Sequence, residues 1–289
     1  MSGLDLNLSN PATHKDDPVI APFTPSGVIT VTTDFGHRGP FVGTMKGVMI
    51  ARYPNARLVD LTHEVHVHWP AEAGFWLERS YQYFPPGTVH LAVVDPGVGT
   101  ARNVLLVIGD GHAFLAPDNG LLAGVIERTG GTAIAVDHAR LIGLGIDRLS
   151  ATFHGRDLFA PLAAELAAGH VSPEVLGQPT LDYIPSLVEA AERRGTELHG
   201  VVVTTDHFGN LITNIESADL ARFARPLVRA AGHDIGVYRT YGDVKPGSLL
   251  ALINSFDVLE IACAENNAAT MLGLGRGGPV IVTETRGIV

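Results

Sequence analysis

Apolar and polar positions follow two rhythms along this chain, and the change falls near residue 200. Before it, short β-branched runs alternate with longer stretches whose apolar residues recur three to four apart, the period of a helix packed by one face. Val28-Ile29-Thr30-Val31-Thr32-Thr33 predicts a strand ending at Asp34-Phe35-Gly36. Residues 40–52 predict a helix with Phe41, Met45, Val48 and Met49 on one face, closed by Pro54 and Asn55. A strand over 56–61, an aromatic-rich helix over 71–84 and a third strand over 88–94 follow. Strands over 104–108 and 112–116 form a predicted hairpin around Gly109-Asp110-Gly111. A helix over 121–128, a strand over 132–136 and an alanine-rich helix over 159–168, ended by Gly169, complete this half.

From residue 199 onward short strands come at close spacing, over 199–204, 211–215, 235–238, 249–253, 258–262 and 279–282, with turn residues between them. The fold expected is an α/β N-terminal domain with a largely parallel sheet, plus a smaller all-β C-terminal barrel or sandwich. The expected boundaries are a mobile tail over 1–26, the α/β domain over 27–184, a polar linker over 185–198 and the β domain over 199–289. In α/β sheets ligands bind beyond the carboxyl ends of the strands. Asp34 and Asp95 both fall there, each followed by a glycine-containing turn.

Composition narrows the class. Of 289 residues, 46% are hydrophobic and 17% charged, which is ordinary for a globular chain. The net charge of -10 comes with scattered basic residues, so a phosphate-backbone binder is not expected. Cys263 is the single cysteine, which removes an internal disulfide framework and reads as a small buried apolar residue. No apolar run reaches the ~18 residues that span a bilayer, and the N-terminus lacks the order of a signal peptide. A cytoplasmic location is expected.

Several candidate chemistries fail on spacing. His63, His66 and His68 sit close together with Glu64, but His63-Glu64-Val65-His66 is one residue short of the helical zinc-protease pattern. Ordinary histidines of a strand edge or loop, with no metal, are the expectation. Gly97-Val98-Gly99-Thr100-Ala101-Arg102 and Gly273-Leu274-Gly275-Arg276-Gly277-Gly278 match neither dinucleotide nor P-loop signatures. No G-x-S-x-G is present.

One ordered set remains: Thr33-Asp34-Phe35-Gly36; Asp95-Pro96-Gly97-Val98-Gly99-Thr100-x-Arg102; Pro117-Asp118-Asn119-Gly120; Phe153-His154-Gly155-Arg156-Asp157; Asp206-His207-Phe208-Gly209-Asn210; Asn254-Ser255; and Asn266-Asn267-Ala268-Ala269. Together, over nearly the whole chain from Val28 to Val282, these resemble the S-adenosylmethionine hydroxide adenosyltransferase family, the SAM hydrolases, related to fluorinase and chlorinase enzymes. The resemblance implies hydrolysis of S-adenosyl-L-methionine to adenosine and L-methionine by water attacking C5′, with no cofactor. It implies an Asp95, Arg102 and His154 triad around the water; an imidazole titrating near neutral pH is able to take the proton, but which triad member does so is left open by the sequence. It assigns Asp34 to the ribose hydroxyls and Asp206, Phe208 and Asn210 to the adenine and methionine ammonium. Ser255 falls to the amino-acid carboxylate with Glu260 nearby, and Asn267 and Ala268 to the adenine edge. It also implies a homotrimer with sites at subunit interfaces. Three alternatives stand beside this reading: a SAM-dependent halide transferase, a non-catalytic adenosine or SAM binder, and a metalloprotein built on His63, His66 and His68. Against the first, Gly155 stands where the halide transferases carry a serine.

Overall fold

The computed structural model describes residues 20–285, so most of the expected tail, residues 1–19, lies outside the described residues. The chain divides into two compact units. The first comprises residues up to His68 and Ser80–Ile184; the second comprises Trp69–Arg79 and the chain from Pro185 onward.

In chain order the first part holds β1 (Val28–Thr33), α1 (Phe41–Arg52), β2 (Arg57–Thr62), α2 (Pro70–Ser80), β3 (Val89–Val93), β4 (Val104–Gly109) and β5 (His112–Pro117). Then come α3 (Ala123–Thr129), β6 (Thr132–Val136), α4 (His138–Gly143), α5 (Ala160–Ala168) and β7 (Gly177–Pro179). The seven strands form one sheet in the order β2-β1-β3-β5-β4-β6-β7. β1 pairs β2 and β3 in parallel, and β3 pairs β5 in parallel. The β4–β5, β4–β6 and β6–β7 pairs are antiparallel.

The expectation of a largely parallel sheet is therefore corrected: the sheet is mixed, half of its neighbouring pairs antiparallel. The cause is the hairpin. Asp110 and Gly111 both adopt positive φ, 49° and 77°, the turn geometry that reverses a chain within two residues. β4 is thereby inserted against the direction of its neighbours. Every residue of β1, β3, β4 and β5 is buried, as strands covered on both faces require. β2, at the edge, has no buried residue, and half of its residues are exposed. Met45 and Met49 of α1 and Leu162, Ala163 and Leu166 of α5 pack into the same core as Ile29, Val31 and Leu91. Truncating one such aliphatic side chain to alanine costs roughly 2–5 kcal/mol.

The second unit holds β8 (Glu192–Arg194), β9 (Glu197–Thr205), β10 (Leu211–Glu216), α6 (Ser217–Leu220), β11 (Pro226–Ala230) and β12 (His233–Gly236). β13 (Leu249–Ile253), β14 (Val258–Cys263), α7 (Ala268–Leu272) and β15 (Pro279–Glu284) follow. All its pairs are antiparallel, in the order β12-β11-β15-β9-β10-β14-β13, with β8 beside β9. A bridge between Val237 and Ala251 links the two edges, so the sheet is nearly closed. Within the segment read as a linker, Glu192–Arg194 forms a strand and β9 already begins at Glu197. The second unit also claims α2: Phe75 packs on Val203, Ile212 and Val258, and Glu72 accepts a 2.6 Å hydrogen bond from Thr204.

Candidate active site

Parallel pairing of β1 with β3 sets Thr33 opposite Val93, so the two chains leave the sheet side by side. Asp34 and Asp95 follow at once. Both line a cleft of about 210 Å³ in the first unit, together with Phe35, His68, Phe153 and His154. The Asp95 turn is closed by Val98 N–H donating to Asp95 O at 3.2 Å and by Thr100 Oγ1 donating to Gly97 O at 2.7 Å. Gly99, at φ +78°, lies so close to the Ala151 carbonyl that any Cβ would collide with it. That contact delivers residues 151–154 to the turn.

Phe153 N–H donates to Ser150 Oγ at 3.1 Å, and His154 then opens a π-helical turn, Gly155–Phe159, that runs into α5. Such wide turns recur at functional sites, where they re-aim a side chain. Here His154 is presented to Arg102. Arg102 Nε donates to Asp95 Oδ1 at 2.8 Å, and its Nη2 donates to Asp95 Oδ2 and to His154 Nδ1, the latter at 3.1 Å. The Arg102 and Asp95 side chains are only 9% and 5% exposed, so the bidentate pair is nearly dry. Phe159 lies beneath the guanidinium, 5.1 Å from ring centre to Cζ. Arg102 itself does not line the cleft; it stands behind Asp95 and His154 and locks both.

This arrangement fixes a tautomer. A guanidinium only donates, so His154 Nδ1 accepts, and the proton of the neutral ring sits on Nε2. Burial, and then the Arg102 cation, lower the His154 pKa below its ordinary value, against the opposing pull of Asp95 and Asp157. At neutral pH His154 is a donor through Nε2–H. As the triad member that takes the proton, His154 meets an obstacle, because its one lone pair is already engaged.

The other candidate residues gather in the second unit. A cavity of about 830 Å³ is lined by Asp206, Phe208, Asn210, Ser255 and Glu260. Asp206 Oδ1 accepts from Phe208 N–H at 2.9 Å and Asn210 N–H at 2.8 Å, and its Oδ2 accepts from Asn210 Nδ2 at 2.9 Å. The carboxylate thus shapes the turn that carries Phe208 outward, where that ring is 74% exposed. Glu260, on β14, is buried and accepts from Tyr241 Oη at 2.7 Å and Asn254 Nδ2 at 3.2 Å. Burial raises its pKa, against the two donors. Asn267 and Ala268 do not line the cavity. Asn267 caps α7 through a 2.7 Å bond from Thr270 N–H, Ala268 is fully buried, and Asn266 lines the wall instead. Tyr241, Trp76 and Phe256 line it too, without having been singled out from sequence. Tyr241 sits in a 3-10 turn that contributes no apolar period, and Trp76 reads as helix core.

His63, His66 and His68 do not converge. Among the described residues no group of three or more His, Cys, Asp or Glu is placed to hold a metal ion. No helix among the described residues is long and apolar enough to cross a membrane.

Residues 29–177 match the SAM hydroxide adenosyltransferase N-terminal domain, and residues 200–281 the C-terminal domain. The chain is 38% identical over 265 residues to the (R)-S-adenosyl-L-methionine hydrolase of Salinispora tropica, covering 90% of this chain and 98% of that one. It is 37% identical to the enzyme of the same name from Thermus thermophilus, over 86% of this chain and 96% of the relative. A fluorinase from an Actinoplanes species is 32% identical over 68% of this chain and 74% of its own. Among solved structures, an uncharacterised conserved protein from Thermotoga maritima superposes with a TM-score of 0.81 at 32% identity, covering 89% of this chain and all of that one. With both domains matched in order along the aspartate, arginine and histidine cluster, the chain belongs to the SAM hydroxide adenosyltransferase family.

Proposed function

We infer that this chain is an enzyme that hydrolyses S-adenosyl-L-methionine to adenosine and L-methionine. The observation that carries the mechanism is Arg102 bridging Asp95 and His154 behind a cleft that also holds Asp34. A sulfonium leaves without protonation, so the difficulty lies with the nucleophile. In the proposed site a water donates to the Asp95 carboxylate and accepts from His154 Nε2–H, which aims its remaining lone pair at C5′. Fixing a weak nucleophile at the reacting carbon supplies much of the rate. The carbon–oxygen bond forms as the carbon–sulfur bond breaks, the electron pair passes to sulfur, and the water's proton passes to the Asp95 carboxylate and on to solvent, one per turnover. Arg102 keeps both water partners in place. Asp34 accepts from the ribose diol. Asp206, Phe208, Asn210, Ser255 and Glu260 take the adenine and the amino-acid end, with Asn267 and Ala268 supporting the adenine edge from behind. No cofactor is required, because the positive sulfur already activates the bond.

Halide transfer is the second reading. At Gly155 a built Cβ would stand 3.2 Å from Met45 Sδ, 3.3 Å from a Phe153 ring carbon and 3.4 Å from a Phe35 ring carbon. A serine there requires these packed side chains to give by a few tenths of an ångström. Incubating the enzyme with S-adenosylmethionine and excess chloride separates the readings: adenosine as sole nucleoside product supports hydrolysis, and 5′-chloro-5′-deoxyadenosine overturns it.

Three finer proposals complete the reading. The relatives' names specify an R form; because L already fixes the α-carbon, R denotes the sulfonium centre, and we extend that preference to this chain. The family resemblance, with candidate residues divided between two units, supports a homotrimer with sites at subunit interfaces. Turnover of each separated sulfonium epimer tests the first, and sedimentation tests the second. A single cysteine fits a reducing, cytoplasmic location.

A further inference from the structure

His63 has no part in the mechanism above, yet it packs against the turn that carries Asp34. His63 is completely buried. Its Nδ1 lies 2.8 Å from Thr33 Oγ1, and its Nε2 lies 3.0 Å from Asp60 Oδ1. Asp60 Oδ2 in turn accepts from Lys46 Nζ at 2.6 Å. Thr33 Oγ1 accepts from Phe35 N–H at 3.2 Å, so the one hydroxyl proton is free to go to His63 Nδ1. His63 Nε2–H then faces the Asp60 carboxylate at ion-pair distance, without the alignment of a hydrogen bond. The next residues tighten the same turn. Gly36 N–H donates to His63 O at 2.8 Å, and His68 N–H donates to Asp34 Oδ2 at 2.9 Å. His68 makes that bond from φ 62°, a conformation a non-glycine residue holds only when its surroundings impose it.

We propose that His63 is a positioning residue for Asp34: anchored by Asp60, it fixes the Thr33–Gly36 turn through Thr33 Oγ1 and its own carbonyl, and so aims the carboxylate at the ribose diol. The proposal rests on reading Asp34 as the diol partner. A metal role for His63 is disfavoured by the same contacts, since the lone pair on Nδ1 takes the Thr33 hydroxyl. A side chain that merely filled space would not need one nitrogen bonded to Thr33 on β1 and the other turned to a carboxylate on β2. Two hydroxyls must be met by two carboxylate oxygens in a set plane, so a freed turn weakens binding before it slows the chemical step.

The test uses the full chain, adenosine as calorimetric probe and steady-state kinetics with S-adenosylmethionine. His63→Leu is expected to raise the adenosine Kd and the KM by about tenfold while kcat changes less than about threefold. Thr33→Val removes the bridging hydroxyl and is expected to do the same, with no further loss in the double variant. His63→Asn, whose amide oxygen reaches Thr33 from the Nδ1 side, is expected to restore most of the affinity. Native adenosine affinity in a cooperatively melting His63→Leu, or additive losses in the double variant, overturns the proposal. If His63→Leu does not fold, Thr33→Val and His63→Asn carry the same comparison. Asp34→Asn tests the underlying reading separately: unchanged adenosine binding there overturns the diol assignment whatever His63 does.

Discussion

Replacing His154 by glutamine and by alanine separates two roles that the same ring can play. In the structure its Nδ1 lone pair is held by Arg102 at 3.1 Å, which leaves Nε2–H as the group free to meet a water. A glutamine amide reaches about as far as Nε2 and carries N–H donors but no base. Losing the donor that orients the attacking water lowers kcat by about 10², or roughly 3 kcal/mol. His154→Ala is therefore expected to fall by that factor with KM nearly unchanged, while His154→Gln stays within about tenfold of the native rate. The assay is adenosine release at saturating substrate, with thermal melting to confirm that each variant folds. The pH profile follows from the same geometry. Protonating Nδ1 would set an N–H against the Arg102 cation, so the neutral ring is the working form. Burial and Arg102 lower the pKa, so activity is flat at neutral pH and falls only below the ordinary histidine range near ~6.5. Nitrogen-15 shifts of the imidazole should report the Nε2–H tautomer. A glutamine variant as inactive as alanine would refute the donor role and restore His154 as the base.

Three further outcomes follow from packing and burial. Gly155→Ser forces an atom to within 3.2–3.4 Å of Met45, Phe153 and Phe35, and should cost about 1–3 kcal/mol in chemical denaturation without yielding a halogenated product. Tyr241→Phe leaves the buried Glu260 with Asn254 alone, and should raise KM by a factor of about 5–10, as expected for losing one hydrogen bond to a carboxyl group; an unchanged KM would remove Tyr241 from the site. His90 is fully buried between Thr30 Oγ1, at 2.8 Å, and His112 Nδ1, at 3.1 Å, and burial holds its pKa down to about 3. The unfolded chain then binds the extra proton as pH falls below ~6.5, so folding stability drops by about 1.4 kcal/mol per pH unit from there toward pH 3. Denaturation at pH 7 and pH 5 should differ by about 2 kcal/mol from this residue, and His90→Gln should flatten that slope.

The strands of the first unit are legible in sequence because their runs are uninterrupted, β-branched in Val28–Thr33 and apolar over residues 104–108. Their direction is not. The hairpin at Asp110-Gly111 is readable, but its effect on sheet polarity depends on which neighbour β5 selects, a long-range choice no local period records. β11 hides because Pro226 and Arg229 break the apolar alternation at a strand paired on both sides. α2 reads as one more helix of the α/β repeat, yet its aromatic face packs on strands more than a hundred residues later in the chain. Asp95 and Asp34 are legible as acids at strand ends, and the structure sets them on one cleft. The tautomer of His154 is not legible, since it depends on a contact between residues 52 apart. The three histidines near residue 63 invite a metal reading from composition, whereas their separate partners are visible only in three dimensions.

The central claim is that water, held by Asp95 and His154, attacks C5′ of the adenosyl group. Turnover of S-adenosylmethionine in oxygen-18 water, with mass analysis of both products, tests it directly. The mechanism requires one oxygen-18 atom at the 5′-hydroxyl of adenosine, none in methionine, and one proton released per turnover. Unlabelled adenosine, or label appearing in the methionine fragment, would contradict it.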